Sequence, residues 1–314
     1  VRLSTQDHHR AGLPAHPGCG LCALRSRRLF TQGLLLSGLL APAGAAVAQR
    51  APEAAEDVGV SRDVGRSSRL AQLVPAEQLE NQAAQQYLML KNGYGARHAL
   101  APEDHPQSRR LRAIARRIIP YAPPWNERAR QWRWEVSLLL SPELNAFCMP
   151  GGKIAFYTGI LQKLQLDDDE VATVMGHEVA HALREHARER LGKRMATQGA
   201  IDLGSALLGL GHLGRSVAGA GGQLLTLKFS RDDETEADIV GMELAARAGY
   251  DPAAGLGLWR KMLAVSQGAP PQWLSTHPAG DARIREIQAK LPKVRPLFDR
   301  ADKPQQRYGP PPAG

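Results

Sequence analysis

The sequence predicts an α+β fold, a single domain built mainly of helices with a small sheet. Three observations lead there. Capped stretches with apolar residues at helical spacing recur along the chain, short runs of β formers interrupt them, and 314 residues leave room for one substantial core. The chain is basic, with a net charge of +9, which favours anionic contacts without fixing a fold. No internal repeat is present.

Near the start, Ser26-Arg27-Arg28-Leu29-Phe30 precedes an apolar run from Gly33 to Ala41, and Ala46-Val47-Ala48 forms a small-residue cleavage signal before Gln49. This order predicts an export signal of twin-arginine or Sec type over residues 1–48, cut after Ala48, and hence a periplasmic protein. Cys19-Gly20-Leu21-Cys22 lies ahead of that signal, lacks a second pair and reads as part of an over-extended start. Residues 49–69 read as a flexible leader, and a domain over 70–292 follows.

Within it, Arg109, Arg110, Arg112, Arg116 and Arg117 run beside Leu111, Ile114, Ile118 and Ile119. That is the pattern of an amphipathic helix with a solvated basic face. Trp132, Trp134 and Val136 alternate as in a half-buried strand, which directs the aromatics to the core rather than to stacked bases. Export and core packing together disfavour nucleic acid as a partner and leave an anionic membrane surface as the contact for the positive charge. Cys148 reads as a small packed hydrophobe.

Ile154-Ala155-Phe156-Tyr157-Thr158 is rich in β formers and follows Gly151-Gly152. It is expected to be an exposed edge strand beside a cleft, able to hold an extended peptide through main-chain hydrogen bonds. Asp167 with Glu170 forms a capping-box pattern, and Val171, Val174, Met175, Val179 and Ala182 supply the apolar stripe of a half-buried helix. Charged residues from Arg184 to Arg190 carry that helix on, as a solvated face, to an end near Gly192.

Inside this helix lies His177-Glu178-Val179-Ala180-His181. Residues four apart share a helix face, so both imidazoles reach one metal ion, and Glu178 stands where an attacking water would be. The spacing points to a zinc hydrolase. Arg184 and Ala187 occupy positions where a metzincin has Gly and His, so another ligand must come from downstream. Glu234, at the start of a helical stretch opening at Ser230, is the third ligand. Asp238, one turn on, is placed to accept a hydrogen bond from a ligand imidazole. Between the two helices, Gly199 to Gly222 contains no uncharged apolar piece longer than Leu203 to Gly211, well short of the ~20 residues a membrane span needs. The glycines of this stretch suggest closely packed helices or a mobile cover over the cleft, and a lid is the favoured expectation.

Three separated blocks resemble the gluzincin metallopeptidase family that includes HtpX, BepA and the CAAX prenyl protease. The pentad is followed by Glu234-x-x-x-Asp238 with Ser230-Arg231 ahead of it. Upstream stand Asn145-Ala146-Phe147, Gly151-Gly152-Lys153-Ile154 and Thr158-Gly159-Ile160-Leu161, and downstream Thr276-His277-Pro278 with Arg283. The resemblance covers roughly residues 75 to 292. It implies a zincin-like domain with one zinc ion per chain on His177, His181 and Glu234, and Glu178 as general base. It also implies substrate binding along Asn145, Gly152, Ile154, Ala155 and Phe156. His277 or Arg283 would stabilise the developing oxyanion, unless His277 is instead an inhibitory fourth ligand or simply begins a helix. Unfolded or extended polypeptides of the cell envelope are the expected substrates, and protein quality control the expected role. The competing expectation is a noncatalytic, chaperone-like module that keeps the zinc and holds clients uncut. The tail over 293–314, rich in Pro, Lys, Arg and Gln, is expected to be disordered.

Overall fold

Two capped helices, each opened by a capping box, pack on each other at the heart of the described residues. The computed structural model describes residues 58–65, 67–207, 224–225, 227–265, 272–278 and 280–312. The expected export signal and most of the expected lid lie outside the described residues. The helices are α1 (Ala76–Gly95), α2 (Pro106–Ile118), α3 (Thr158–Lys163), α4 (Asp168–Leu183), α5 (His186–Leu207), α6 (Arg231–Arg247), α7 (Ala254–Val265), α8 (Gln272–Thr276) and α9 (Asp281–Arg300). Among the described residues, no helix is long and apolar enough to cross a membrane.

The sheet contains β1 (Glu135–Leu139), β2 (Ala146–Met149) and β3 (Lys153–Tyr157), in the order β1-β3-β2. β1 runs parallel to β3, and β2 pairs antiparallel with it, Phe147 opposite Ala155 and Cys148 opposite Ile154. The strand expected at the edge is therefore the central one. Ile154, Ala155 and Phe156 are fully buried, and their backbone is engaged on both sides. An added peptide strand has no place on them, which corrects their assignment to substrate binding. Gly152 has a different task from the one expected of it. It sits at φ +77 in the β2–β3 turn, and a Cβ there would meet the Trp134 indole at 2.7 Å, so glycine is required by the turn and by the ring above it. Trp132 and Trp134 precede β1 and pack half-buried against the core.

α4 is buried almost all round, with α2, α6, α7 and β2 packed on it. That is more than the half-burial its apolar stripe suggests. It begins with the Asp167–Glu170 capping box and ends earlier than expected, because Glu185 takes a left-handed φ of 60 and turns the chain. α5 starts anew at His186 and continues past Gly192, which does not stop it. Gly192 instead lets the 3-10 turn at Arg69–Leu73 approach, since a Cβ would meet the Leu70 carbonyl at 1.9 Å.

The basic face of α2 is less free than its sequence suggests. Arg110 is fully buried and donates to Asp168 at 2.7 Å and to the Leu166 carbonyl at 2.7 Å, while Arg117 donates to the Ala248 carbonyl at 2.7 Å. Arg112 pairs with Glu103.

Both expected floppy ends are partly built into the domain. In the leader, Val60 is buried and its N–H donates to Glu243 at 2.6 Å, and Gly59 N–H donates to the Lys293 carbonyl at 2.9 Å. In the tail, α9 runs through Pro292 and Pro296 to Arg300 with Val294 fully buried. Packing there outweighs the hydrogen bonds the prolines delete. Arg307 then pairs with Asp169, and the Tyr308 N–H donates to Asp168, both within 2.8 Å. Deleting residues 302–314 is expected to lower stability by about 1–3 kcal/mol, because it strips acceptors and partners from Arg117, Asp168 and Asp169. Urea unfolding of the two chains side by side measures this.

Candidate metal centre

The centre exists because two helices touch at glycine. A Cβ on Gly176 of α4 would meet the Gly241 carbonyl of α6 at 2.5 Å, and one on Gly241 would meet the His177 N–H nitrogen at 2.5 Å. Backbone contact at that point brings the first turns of α6 against His177. A second capping box, Ser230 with Asp233, starts α6 and fixes where its acidic residues fall.

His177, His181, Glu234 and His277 present one ligand atom each, all within 4.8 Å of one another, and all four residues are buried. His177 Nε2 lies 3.0 Å from His181 Nε2 and 3.3 Å from His277 Nδ1. Glu234 Oε1 lies 3.0 Å from His277 Nδ1 and 3.5 Å from His181 Nε2. Its other oxygen receives no well-aligned hydrogen bond among the described residues, although Arg283 Nη1 stands 2.6 Å away. Three imidazole nitrogens and a carboxylate with a spare acceptor, converging where all four residues are buried, are donors of the kinds zinc takes. The residues fit the metal.

Burial and the neighbouring groups set the charges here. Burial, reinforced by the neighbouring imidazoles, pushes His181 far below the ordinary histidine value and keeps it neutral. Burial opposes the charge on Glu234, but His277, His177 and Arg283 hold its carboxyl below the usual range. Burial likewise disfavours a charged His277, and the carboxylates of Glu178 and Glu234 overcome it, raising that imidazole above its ordinary value.

Outer contacts hold the donors. Asp238 Oδ1 is 3.0 Å from His177 Nδ1, and Arg283 grips Asp238 with two bonds of 2.7 Å. The Arg283 guanidinium also lies 3.7 Å above the Trp259 ring. Expected as an oxyanion partner, Arg283 is committed to carboxylates on α6 instead. His181 rests against Phe229, with ring centroids 4.1 Å apart, and its Nδ1 meets His186 Nδ1 at 2.9 Å. Glu178 accepts a 2.6 Å bond from the Trp273 indole, and Trp273 stacks between Trp259 and His277. Sequence reasoning missed Trp273, His186, Glu236 and Arg184. The last two of these flank the pentad's break or sit between the acidic residues of α6, and all looked like ordinary core or surface.

A cleft opens beside the centre. It is lined by Asn145 to Pro150 along β2, by Glu178 and His181 of α4, and by Leu224, Leu225, Leu227, Phe229 and His277. The outer edge of β2 pairs with no strand among the described residues.

The profile of Peptidase family M48 matches residues 105–291, a segment that contains every residue of this centre. The chain belongs to peptidase family M48. Members of M48 use zinc, in agreement with the donor set. The chain is 33% identical over 219 residues to mitochondrial metalloendopeptidase OMA1 of Schizosaccharomyces pombe, a match covering 69% of this chain and 62% of that protein. The corresponding protein of Saccharomyces cerevisiae is 31% identical, over 65% and 61% of the two chains. The β-barrel assembly-enhancing protease of Escherichia coli O157:H7 is 28% identical, over 51% and 35%. The matches thus span less than two thirds of these relatives' own lengths.

Proposed function

We propose that the chain is a zinc-dependent endopeptidase that cuts unfolded or misassembled proteins of the cell envelope, gripped as extended strands along β2. The meeting of Glu178, His181 and His277 in one cleft with β2, whose outer edge pairs with no strand among the described residues, carries this reading. A peptide added to β2 binds through its main chain, which suits clients defined by lack of fold rather than by sequence. Asn145 lines that cleft; Phe147 and Cys148 take over the place first given to Ile154 to Phe156. The relatives named as endopeptidases support cleavage, and the sequence pattern of residues 26–48 supports export to the periplasm. The positive charge of the chain suits contact with an anionic membrane surface.

His177, His181 and Glu234 would hold the metal. Zinc, when bound, supplies a Lewis acid that makes water nucleophilic near neutral pH. Glu178 takes the proton of the attacking water and returns it to the leaving amine. Asp238 keeps the His177 proton on Nδ1, so that Nε2 offers its lone pair.

The test is casein digestion by the zinc-loaded chain. Cleavage is expected to fall to background on chelation and to return with zinc. The same chelation is expected to lower the unfolding free energy by about 4 kcal/mol when free zinc stood at a thousand times its Kd. Digestion that ignores the chelator would rule the reading out.

One observation favours a second reading, a closed and noncatalytic client-binding module. His277 Nδ1 already stands among the ligand atoms, and Trp273 already holds Glu178. Under the closed reading, His277→Ala frees a coordination position and activity rises. If His277 instead aids the reaction, the same substitution lowers it.

A further inference from the structure

We propose that His186 and Glu236 form a second positioning arm for the centre, orienting His181 through its Nδ1 as Asp238 orients His177. This rests on the zinc reading above. His181 Nε2 faces the other donors, 3.0 Å from His177 Nε2 and 3.5 Å from Glu234 Oε1. To offer a lone pair there, a neutral imidazole must carry its proton on Nδ1. The atom that receives this proton is His186 Nδ1, 2.9 Å away. His186 must then carry its own proton on Nε2, which points at Glu236 Oε2 at 2.9 Å. Glu236 only accepts, and Arg184 anchors it from the far side with an Nε–H bond of 2.7 Å.

Every donor along this arm meets an acceptor, and only one pair of tautomers allows it. Reversing His186 would set two N–H groups head to head at His181 and leave Glu236 without its bond. The backbone is bent to make the arm. On a continuing helix, a residue five past His181 would point well away from it, but the left-handed Glu185 redirects the chain, and His186 ends up buried against His181 with 1% exposure. α6 thereby serves both ligands of the pentad, Asp238 reaching His177 and Glu236 reaching His181 by way of His186.

The experiment measures zinc affinity on the full chain by competition with a chromogenic chelator, together with the visible spectrum of the cobalt(II)-loaded protein. His186→Ala and Glu236→Ala are each expected to weaken zinc binding about 10–100-fold and to alter the cobalt bands. His186→Asn is expected to recover most of the loss relative to His186→Ala, because its Oδ1 occupies the place of the Nδ1 acceptor. Val294→Ala, a core truncation about three turns along α9 from Arg283, is expected to lower stability while leaving affinity unchanged. Glu236 is partly exposed, so its variant reads the arm even where His186→Ala folds poorly. Affinity within twofold of the native chain in both alanine variants would overturn the proposal. So would a loss that Asn does not relieve and that Val294→Ala reproduces. A native chain that binds no zinc would instead defeat the zinc reading on which the arm rests.

Discussion

Glu178→Gln is expected to keep its zinc and to lose about 10²–10⁴-fold in casein cleavage. The two halves of that result have separate causes. Glu178 contributes no atom to the donor set, so the metal is held as before. Glutamine has the size of glutamate and retains a carbonyl oxygen for the Trp273 N–H, now at 2.6 Å from Glu178 Oε1, so the aromatic stack stays in register. What the variant lacks is a group basic enough to take a proton from water. Zinc content and initial rates on the two proteins decide the matter. Unchanged cleavage in the variant would remove Glu178 from the chemistry. No cleavage by either protein, with zinc on both, would favour the closed reading and make His277→Ala the informative variant.

Gly241→Ala carries the largest expected structural effect, because one methyl group falls where α4 and α6 touch. In an exposed helix, alanine in place of glycine stabilises by about 1 kcal/mol. At Gly241, the added carbon would sit 2.5 Å from the His177 nitrogen and 2.8 Å from its Cα, distances only backbone movement can relieve. The sign reverses, and a loss of about 1–3 kcal/mol is expected, seen as a fall of roughly 2–12 °C in Tm for a domain of this size. Zinc affinity falls with it, since parting the helices draws Glu234 and Asp238 away from the pentad. Gly199→Ala is the comparison: Gly199 lies exposed on α5 with nothing within 4 Å of its would-be Cβ, and there the stabilising sign is expected to hold. Thermal unfolding of both variants settles the pair.

The helices that bear the centre are legible because their signals are local. Asp167 with Glu170 and Ser230 ahead of the acidic run mark helix starts within four residues, and both capping arrangements are present in the fold. The pentad spacing is likewise a property of one helix face. The strand order is not local. Ile154 to Tyr157 looks like a strand from its composition, but whether it lies at the edge or in the middle depends on what pairs with it, and β1 arrives from residues further upstream. The break at Glu185 eluded the charge pattern for a related reason. Arg184, Glu185, Arg188 and Glu189 fit a continuous solvated helix, while the left-handed turn that buries Arg184 and His186 is imposed by contacts with Glu236 and with the backbone at Gly65. The prolines at 292 and 296 misled in the opposite direction: composition argued for disorder, and the burial of Val294 won.

The aromatic stack beside the donors has an optical consequence. Of the five tryptophans in the chain, Trp259 and Trp273 lie with ring centroids 6.3 and 5.7 Å from His177, and Trp273 is 5.1 Å from His277. An indole in van der Waals range of an imidazole, and bonded through its N–H to a carboxylate, emits according to the state of both. Metal binding to the imidazoles, or a change in the Glu178 contact, is therefore expected to register in the intrinsic fluorescence of the native chain. The protein carries its own label, beside the four donors.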